Sequence, residues 1–237
     1  MERIDFMRRS EINKLIEEAI EFMKKASFQL PPFAFWTPEA WMDRNSEYDE
    51  LRENGLGWDI TDFGSGDFYK EGLLLFTLRN GNPSLKDNRK TYAEKIMLVR
   101  ENQITPYHFH WNKLEDIINR GGGNLMIKLY NSTAHGKLAT TEIEINTDGR
   151  RYFAPAGTVI RLKPGESITL LQGQYHSFWG EKGYGQVLVG EVSQCNDDNK
   201  DNRFLEDKPR FPEITEDTAA RFLLVNEYPK AAAGEVL

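Results

Sequence analysis

The sequence predicts a mainly β chain, an antiparallel β-barrel or sandwich with a helical N-terminal extension. Three observations carry this expectation. From about residue 72 onward, short apolar runs are punctuated by Gly, Pro, Asn and Asp, the texture of short strands joined by tight turns. Before residue 60 the apolar residues recur every three or four positions instead, as they do on one face of a helix. The length of 237 residues suffices for one well-buried core without demanding a second. Residues 1–60 therefore read as the extension and 61–237 as the barrel of a single structural domain.

In chain order, Ser10 reads as an N-cap, and Ile12, Leu15, Ile16, Ala19, Ile20 and Met23 line one face of a helix over 10–26. Leu30-Pro31-Pro32 stops that helix, and Thr37-Pro38-Glu39 pairs a cap with a first-turn proline to open a short second one. The strand-like runs are GLLLFTLRNG at 72–81, EKIMLVREN at 94–102, NLMIKLYN at 124–131, TEIEINTDG at 141–149 and TVIRLKPG at 158–165. They continue with SITLLQGQYHSFWG at 167–180, GQVLVGEVS at 185–193 and RFLLVNEY at 221–228. Thr147-Asp148-Gly149 and Lys163-Pro164-Gly165-Glu166 are turn sequences between consecutive strands. Residues 194–203 read as a polar loop and the tail from Lys230 as frayed, with no internal repeat and no interdomain linker.

The bulk composition excludes several function classes. The balance of 37 acidic against 30 basic residues, with a net charge of -7 and no Lys/Arg run, argues against nucleic acid or an anionic membrane as partner and suits a small neutral ligand. Cys195 is the only cysteine, so an intrachain disulfide and the Cys-rich zinc modules are excluded, which suits a reducing cytoplasm. The opening MERIDFMRRSEINKLIEEAI is charged throughout, and no stretch approaches the roughly 20 apolar residues of a membrane span. A soluble, cytoplasmic protein is the expectation.

The chain has four histidines, and three of them fall into two patterns that make sense together. His108-Phe109-His110 lies in a strand, where residues two apart share a face, so both imidazoles project into one space. Glu115 follows four intervening residues later, and His176 stands at the end of another apolar run. Three imidazoles and one carboxylate form a set suited to Mn²⁺, Fe²⁺, Co²⁺, Ni²⁺ or Zn²⁺, with open positions for substrate oxygens. His135, in the polar stretch Asn131-Ser132-Thr133-Ala134-His135-Gly136, reads as a solvated loop residue.

These motifs resemble those of the cupins. His108-x-His110-x4-Glu115 followed by Gly121-Gly122 is similar to the first cupin motif, and Pro164-Gly165 with Gly173-x-x-His176 is similar to the second. Leu171 stands where the second motif has a proline, a departure that touches the turn and not the ligand. The resemblance implies a cupin-type antiparallel β-barrel, jelly-roll-like. A closer resemblance covers most of the chain. LPPFAFW at 30–36, GLGWDITDFGSGDF at 55–68, LFTLRNGNP at 75–83, the run 92–123 and YHSFWGEKGYGQVLVGEVSQCNDDN at 175–199 look like the D-lyxose isomerase family. That family implies a cupin-barrel sugar isomerase interconverting D-lyxose and D-xylulose, and related sugars such as D-mannose and D-fructose. It also implies Mn²⁺ as the preferred ion, and cupin edges imply a homodimer.

Isomerising an aldose to a ketose moves hydrogen between C1 and C2, which asks for a base beside those carbons and a cation or donor near their oxygens. Glu191 is the expected base, because strand alternation puts it on the face of Val187 and Val189, toward a barrel interior. Lys113, two residues before Glu115, is the expected donor or electrostatic stabiliser. Trp111, Phe178 and Trp179 flank the ligands as candidates for the C–H faces of a sugar, and Asp62, Asp198 and Arg203 as candidates for its hydroxyls. Two other readings share these residues. One is a mononuclear iron cupin dioxygenase with the same cage, told apart by metal and oxygen dependence, and the other is a non-catalytic sugar-binding cupin. A phosphosugar substrate is disfavoured, since no basic cluster or Gly-rich anion cradle lies beside the ligands.

Overall fold

Two antiparallel sheets face each other across an apolar interior, and a helix covers the outside of the larger one. The computed structural model describes residues 6–84, 90–195 and 201–232. In chain order the elements begin with β1 (Met7–Arg8), α1 (Arg9–Lys25), α2 (Pro38–Met42), α3 (Asp49–Glu53), β2 (Gly57–Thr61), β3 (Leu73–Arg79) and β4 (Tyr92–Val99). Next come β5 (Thr105–His110), β6 (Glu115–Gly122), β7 (Leu125–Asn131), β8 (Ile143–Thr147), β9 (Arg150–Ala154), β10 (Val159–Leu162) and β11 (Ser167–Leu170). The last are β12 (Gln174–Gly180), β13 (Val187–Gln194), β14 (Asn202–Phe204) and β15 (Ile214–Thr215). The larger sheet has eight strands in the order β2-β3-β4-β13-β6-β11-β8-β9, the smaller has five in the order β10-β7-β12-β5-β14, and β1 pairs with β15.

Strand alternation explains which runs are continuous and which alternate. On β3, β4 and β13, Leu75, Met97, Val99, Val187 and Val189 point into the space between the sheets and pack on Ile127, Leu129 and Phe178 of the smaller sheet. Their neighbours Leu74, Phe76, Ile96, Leu98 and Leu188 point outward and pack on Ile12, Leu15, Ile16, Ala19 and Met23 of α1. Strands buried on both faces read as unbroken apolar runs. β8, in Glu-Ile-Glu-Ile, buries only Ile143 and Ile145 and alternates accordingly. Each apolar side chain taken from water contributes about 1.5–3 kcal/mol, so α1 is held by its buried face more than by helix propensity.

The first-helix spacing is realised one residue early, at Arg9–Lys25, but Ser10 is not its cap. Arg8 occupies the cap position without a side-chain bond, and Ser10 donates its N–H (2.9 Å) and hydroxyl (2.6 Å) to the Asp217 carboxylate. The capping oxygen thus arrives from the far end of the chain, which local spacing does not reveal. Arg9 extends the same tie. It is 2 % exposed and donates to Glu216 (2.9 and 2.6 Å) and to Glu227 (3.1 Å). The Thr37 hydroxyl accepts from the Ala40 N–H at 3.3 Å, as its pattern predicts.

Asp148 and Gly149 adopt φ of 49° and 80°, the left-handed pair that a two-residue hairpin between β8 and β9 requires. The run at 167–180 is two strands, since the turn at Leu171–Gly173 sends β11 into one sheet and β12 into the other. The run at 221–228 is no strand: it makes one parallel bridge, Leu224 to Trp58, and the Val225 N–H donates to the Trp58 carbonyl at 2.9 Å. Its apolar side chains pack against α1 and β2 instead of alternating across a sheet. Part of the expected polar loop is strand β14, which pairs with β5.

Candidate metal centre and charge ladder

The smaller sheet brings the histidines together. β12 runs antiparallel to β5 with His176 opposite His108, and alternation along β5 puts His110 on the same inner face. The ligand nitrogens of His108, His110 and His176 all lie within 4.8 Å of one another, and the Nε2 atoms of His108 and His176 are 3.0 Å apart. His108 Nδ1 sits 2.8 Å from the Pro106 carbonyl and His176 Nδ1 3.0 Å from the Gln174 carbonyl. A carbonyl only accepts, so each Nδ1 carries the proton and each Nε2 presents a lone pair. Two lone pairs facing each other at that distance repel, and a cation between them relieves the repulsion. His110 has both ring nitrogens buried without a hydrogen bond among the described residues. This nitrogen set therefore fits a divalent metal ion.

Electrostatics keep the imidazoles ready as ligands. Burial, then the neighbouring His176 and His110, push His108 well below its ordinary pKa, and burial with the Lys113 ammonium pushes His110 down. The rings of His108 and His110 are thereby kept neutral. Glu115 comes from the larger sheet at the start of β6, with Oε1 3.3 Å from His110 Nε2 and 3.2 Å from His176 Nε2. Its other oxygen lies 2.7 Å from Lys113 Nζ. Burial works against this carboxylate's charge, but Lys113 and His110 hold it well below the usual carboxylate range.

From Glu115 a ladder of alternating charges climbs the inner face of the larger sheet. Lys113 Nζ also donates to Glu191 Oε1 at 2.8 Å, and Lys95 Nζ stands 3.4 Å from that same oxygen. Lys95 on β4 and Glu191 on β13 are direct cross-strand partners. Burial disfavours the Lys113 charge, yet Glu115 and Glu191 raise its pKa above the ordinary lysine value. For Glu191 burial again opposes ionisation, and Lys113 with Lys95 lowers its pKa nonetheless. All four groups are at most 6 % exposed, a depth at which charges persist only when paired. Asp201 steadies the turn that carries Lys113: its carboxylate accepts the N–H of Asn112 (2.8 Å) and of Lys113 (3.0 Å).

These groups meet at a cleft of about 500 Å³, a volume that includes space open to solvent. Phe63, Leu75, Met97, Phe178 and Phe204 form its apolar wall, beside His108, His110, Lys113, Glu115, His176 and Glu191. Of the residues singled out for sugar contact, Phe178 lies in this wall. Trp111 is 56 % exposed and packs edge-on against Phe109, outside it. Trp179 alternates to the outer face of β12 and lines a different cavity with Tyr107 and Pro106. Arg203 likewise faces outward on β14, between the inward Asn202 and Phe204. Asp62 is buried and accepts the N–H groups of Gly64 and Gly66 at 3.0 and 3.1 Å, shaping the loop before Phe68. Asp198 lies outside the described residues, and His135 is exposed.

Sequence reasoning missed Lys95, Phe63, Phe204 and Arg210, all of which line the cleft. Lys95 could have been found by the parity that located Glu191, since it alternates with the inward Met97 and Val99. Phe63 and Arg210 come from connecting segments with no periodicity to read and Phe204 from the three-residue strand β14, too short to show one, and Arg210 is anchored by two hydrogen bonds to the buried Asp59.

With this geometry in place, comparison with known proteins is specific. The sequence profile of the D-lyxose isomerase family matches residues 7–228. A D-lyxose/D-mannose isomerase of Serratia proteamaculans is 50 % identical over 223 residues, covering 94 % of this chain and 98 % of that protein. One from Escherichia coli O157:H7 is 48 % identical over the same shares. Among solved structures, the L-ribose isomerase of Acinetobacter sp. DL28 with L-ribose superposes with a TM-score of 0.58 at 15 % identity, covering 86 % of this chain and 94 % of that one. The L-ribose isomerase of Cellulomonas parahominis with L-ribose gives 0.56 at 14 % identity, covering 98 % and 99 %. These structures establish the fold as the cupin-type barrel that the motifs implied.

Proposed function

The chain belongs to the D-lyxose isomerase family, and we propose from that premise that it interconverts D-lyxose with D-xylulose, and D-mannose with D-fructose, in the cleft between its two sheets. It is an aldose–ketose isomerase. In this reading His108, His110, His176 and Glu115 hold the metal ion, with Mn²⁺ first and Co²⁺, Fe²⁺, Ni²⁺ or Zn²⁺ as alternatives. When bound, the ion would supply Lewis-acid polarisation to the sugar's oxygens.

The chain's own groups then divide the proton work. Glu191 is ionised, and its Oε1 is taken up by Lys113, Ser193 and Lys95. Its Oε2 is left to take the proton from C2 of the aldose and return it to C1 through an enediol, while the hydroxyl proton on O2 passes to O1. Lys113, protonated between two carboxylates, steadies the negative charge developing on the sugar oxygens. The apolar wall of Phe63, Phe178 and Phe204 meets the C–H face of the sugar and keeps water from the reacting carbons. The convergence of Glu191, Lys113 and the Nε2 atoms on one cleft is the observation that carries this reading.

A lone cysteine suits the cytoplasm, and no described helix is long and apolar enough to cross a membrane. A homodimer is the proposed assembly, checked by light scattering. The function is tested by stripping the metal with EDTA, adding back each ion and assaying aldoses and ketoses in D₂O. We expect Mn²⁺ or Co²⁺ to restore D-lyxose turnover best, with solvent deuterium in the product. Product without deuterium would point to a hydride shift with Glu191 orienting hydroxyls, and turnover dependent on O₂ would replace isomerisation by dioxygenase chemistry.

A further inference from the structure

We propose that Lys95 is a positioning residue for the isomerisation, fixing which oxygen of Glu191 faces the sugar; this rests on Glu191 being the base. Lys95 and Glu191 are opposite each other across the β4–β13 pair, so their backbones set the approach of the two side chains. Three donors converge on one atom, Glu191 Oε1: Lys113 Nζ at 2.8 Å, Ser193 Oγ at 3.0 Å and Lys95 Nζ at 3.4 Å. None of these contacts uses Oε2. A carboxylate held from one side by donors from two strands and a turn cannot rotate to exchange its oxygens without breaking all three contacts.

Charge balance gives Lys95 a second reason to be there. Glu115 and Glu191 carry two negative charges and Lys113 one positive, so Lys113 is shared between them at 2.7 and 2.8 Å. Lys95, 6 % exposed, supplies the second positive charge at the Glu191 end. Without it, the Glu191 side chain loses one of its three tethers and keeps as its sole cation Lys113, which is shared with Glu115. Lys95 reaches Glu191 from β4 and Lys113 from the turn before β6, the two strands that flank β13.

The test is a double-mutant cycle. Lys95→Met and Lys95→Gln are made in the wild-type and in the Glu191→Gln background, and bound manganese, KM and kcat are measured for each holoenzyme, the slow variants at high enzyme concentration. We expect Lys95→Met to lower kcat about 10–100-fold with KM within about threefold and manganese retained, and to cost less than about twofold further once Glu191 is Gln. Lys95→Gln, which keeps a donor, should recover part of that loss, and it also tests the idea should Lys95→Met fail to fold. Equal losses in both backgrounds, or a raised KM at unchanged kcat, would overturn the positioning role and leave Glu191 as base. Near-normal turnover in Glu191→Gln alone would instead remove the base assignment, and with it the role of Lys95.

Discussion

The two inner faces of the barrel bring different chemistry to one cleft. The five-stranded sheet contributes imidazoles, two of them alternating on one strand and the third directly opposite on the next. The eight-stranded sheet contributes full charges, Lys95 and Glu191 in cross-strand register and Glu115 on the neighbouring strand, with Lys113 reaching in from the turn before it. The difference follows from what burial does to each type. Burial leaves an imidazole neutral and thereby makes it a better ligand, so each histidine can stand alone. A buried carboxylate or ammonium stands only beside an opposite charge, so the larger sheet must deliver its groups as a set.

The comparison breaks most severely on the imidazole side. His108→Ala or His176→Ala removes a nitrogen whose partner Nε2 is 3.0 Å away, and we expect bound metal and turnover to vanish together while the circular dichroism spectrum is kept. Retention of stoichiometric manganese in either variant would exclude that residue from the cage. On the charged side, Lys113→Met should keep the metal and lose about 10²–10³ in kcat, the scale of one missing electrostatic stabiliser. It should also lower stability, because two buried carboxylates lose their shared cation. Unchanged kcat would assign Lys113 to structure alone.

The same contrast explains what the sequence reveals. His108 and His110 announce themselves because their relation is local, two residues apart on one strand, and β-strand alternation converts that spacing directly into convergence. Glu191 is legible for a related reason, a carboxylate at an inward parity among valines. Lys95 obeys the same parity yet gains meaning only from register, which places it opposite a glutamate 96 positions away, 191 − 95 in the numbering. Phe63 and Arg210 reach the cleft from connecting segments where no period exists, and Phe204 from β14, a strand of three residues. On the outside of the larger sheet, the helix at 9–25 is legible from its apolar stripe, whereas its true cap, Asp217, is supplied by tertiary contact.

That outer face should respond in stability and not in chemistry. Ile16→Ala empties a fully buried site between α1 and the larger sheet, and we expect a loss of about 2–5 kcal/mol in denaturant unfolding. Metal content and kcat of the folded fraction should stay at wild-type values. A drop in kcat exceeding the loss of folded protein would show that the helix acts on the cleft.

The smallest effect belongs to the tie between α1 and the C-terminal segment. Hydrogen bonds from Arg9 hold the Glu216 carboxyl below its usual range, against the opposing effect of burial. A carboxylate whose pKa is depressed by folding binds fewer protons folded than unfolded, so its stabilisation is complete above the ordinary glutamate pKa. It is lost as pH falls through the lowered, folded value. Glu216 is 59 % exposed, so solvent screening keeps the contribution under about 1 kcal/mol, and Arg9 retains Glu227 as a buried-side partner. Glu216→Gln should therefore destabilise modestly near pH 7 and lose its effect in acid below the lowered carboxyl value, where the wild-type carboxyl is itself protonated. Unfolding curves of the two proteins at both pH values decide it: an equal difference at each would mean that Glu216 acts through packing and not through its charge.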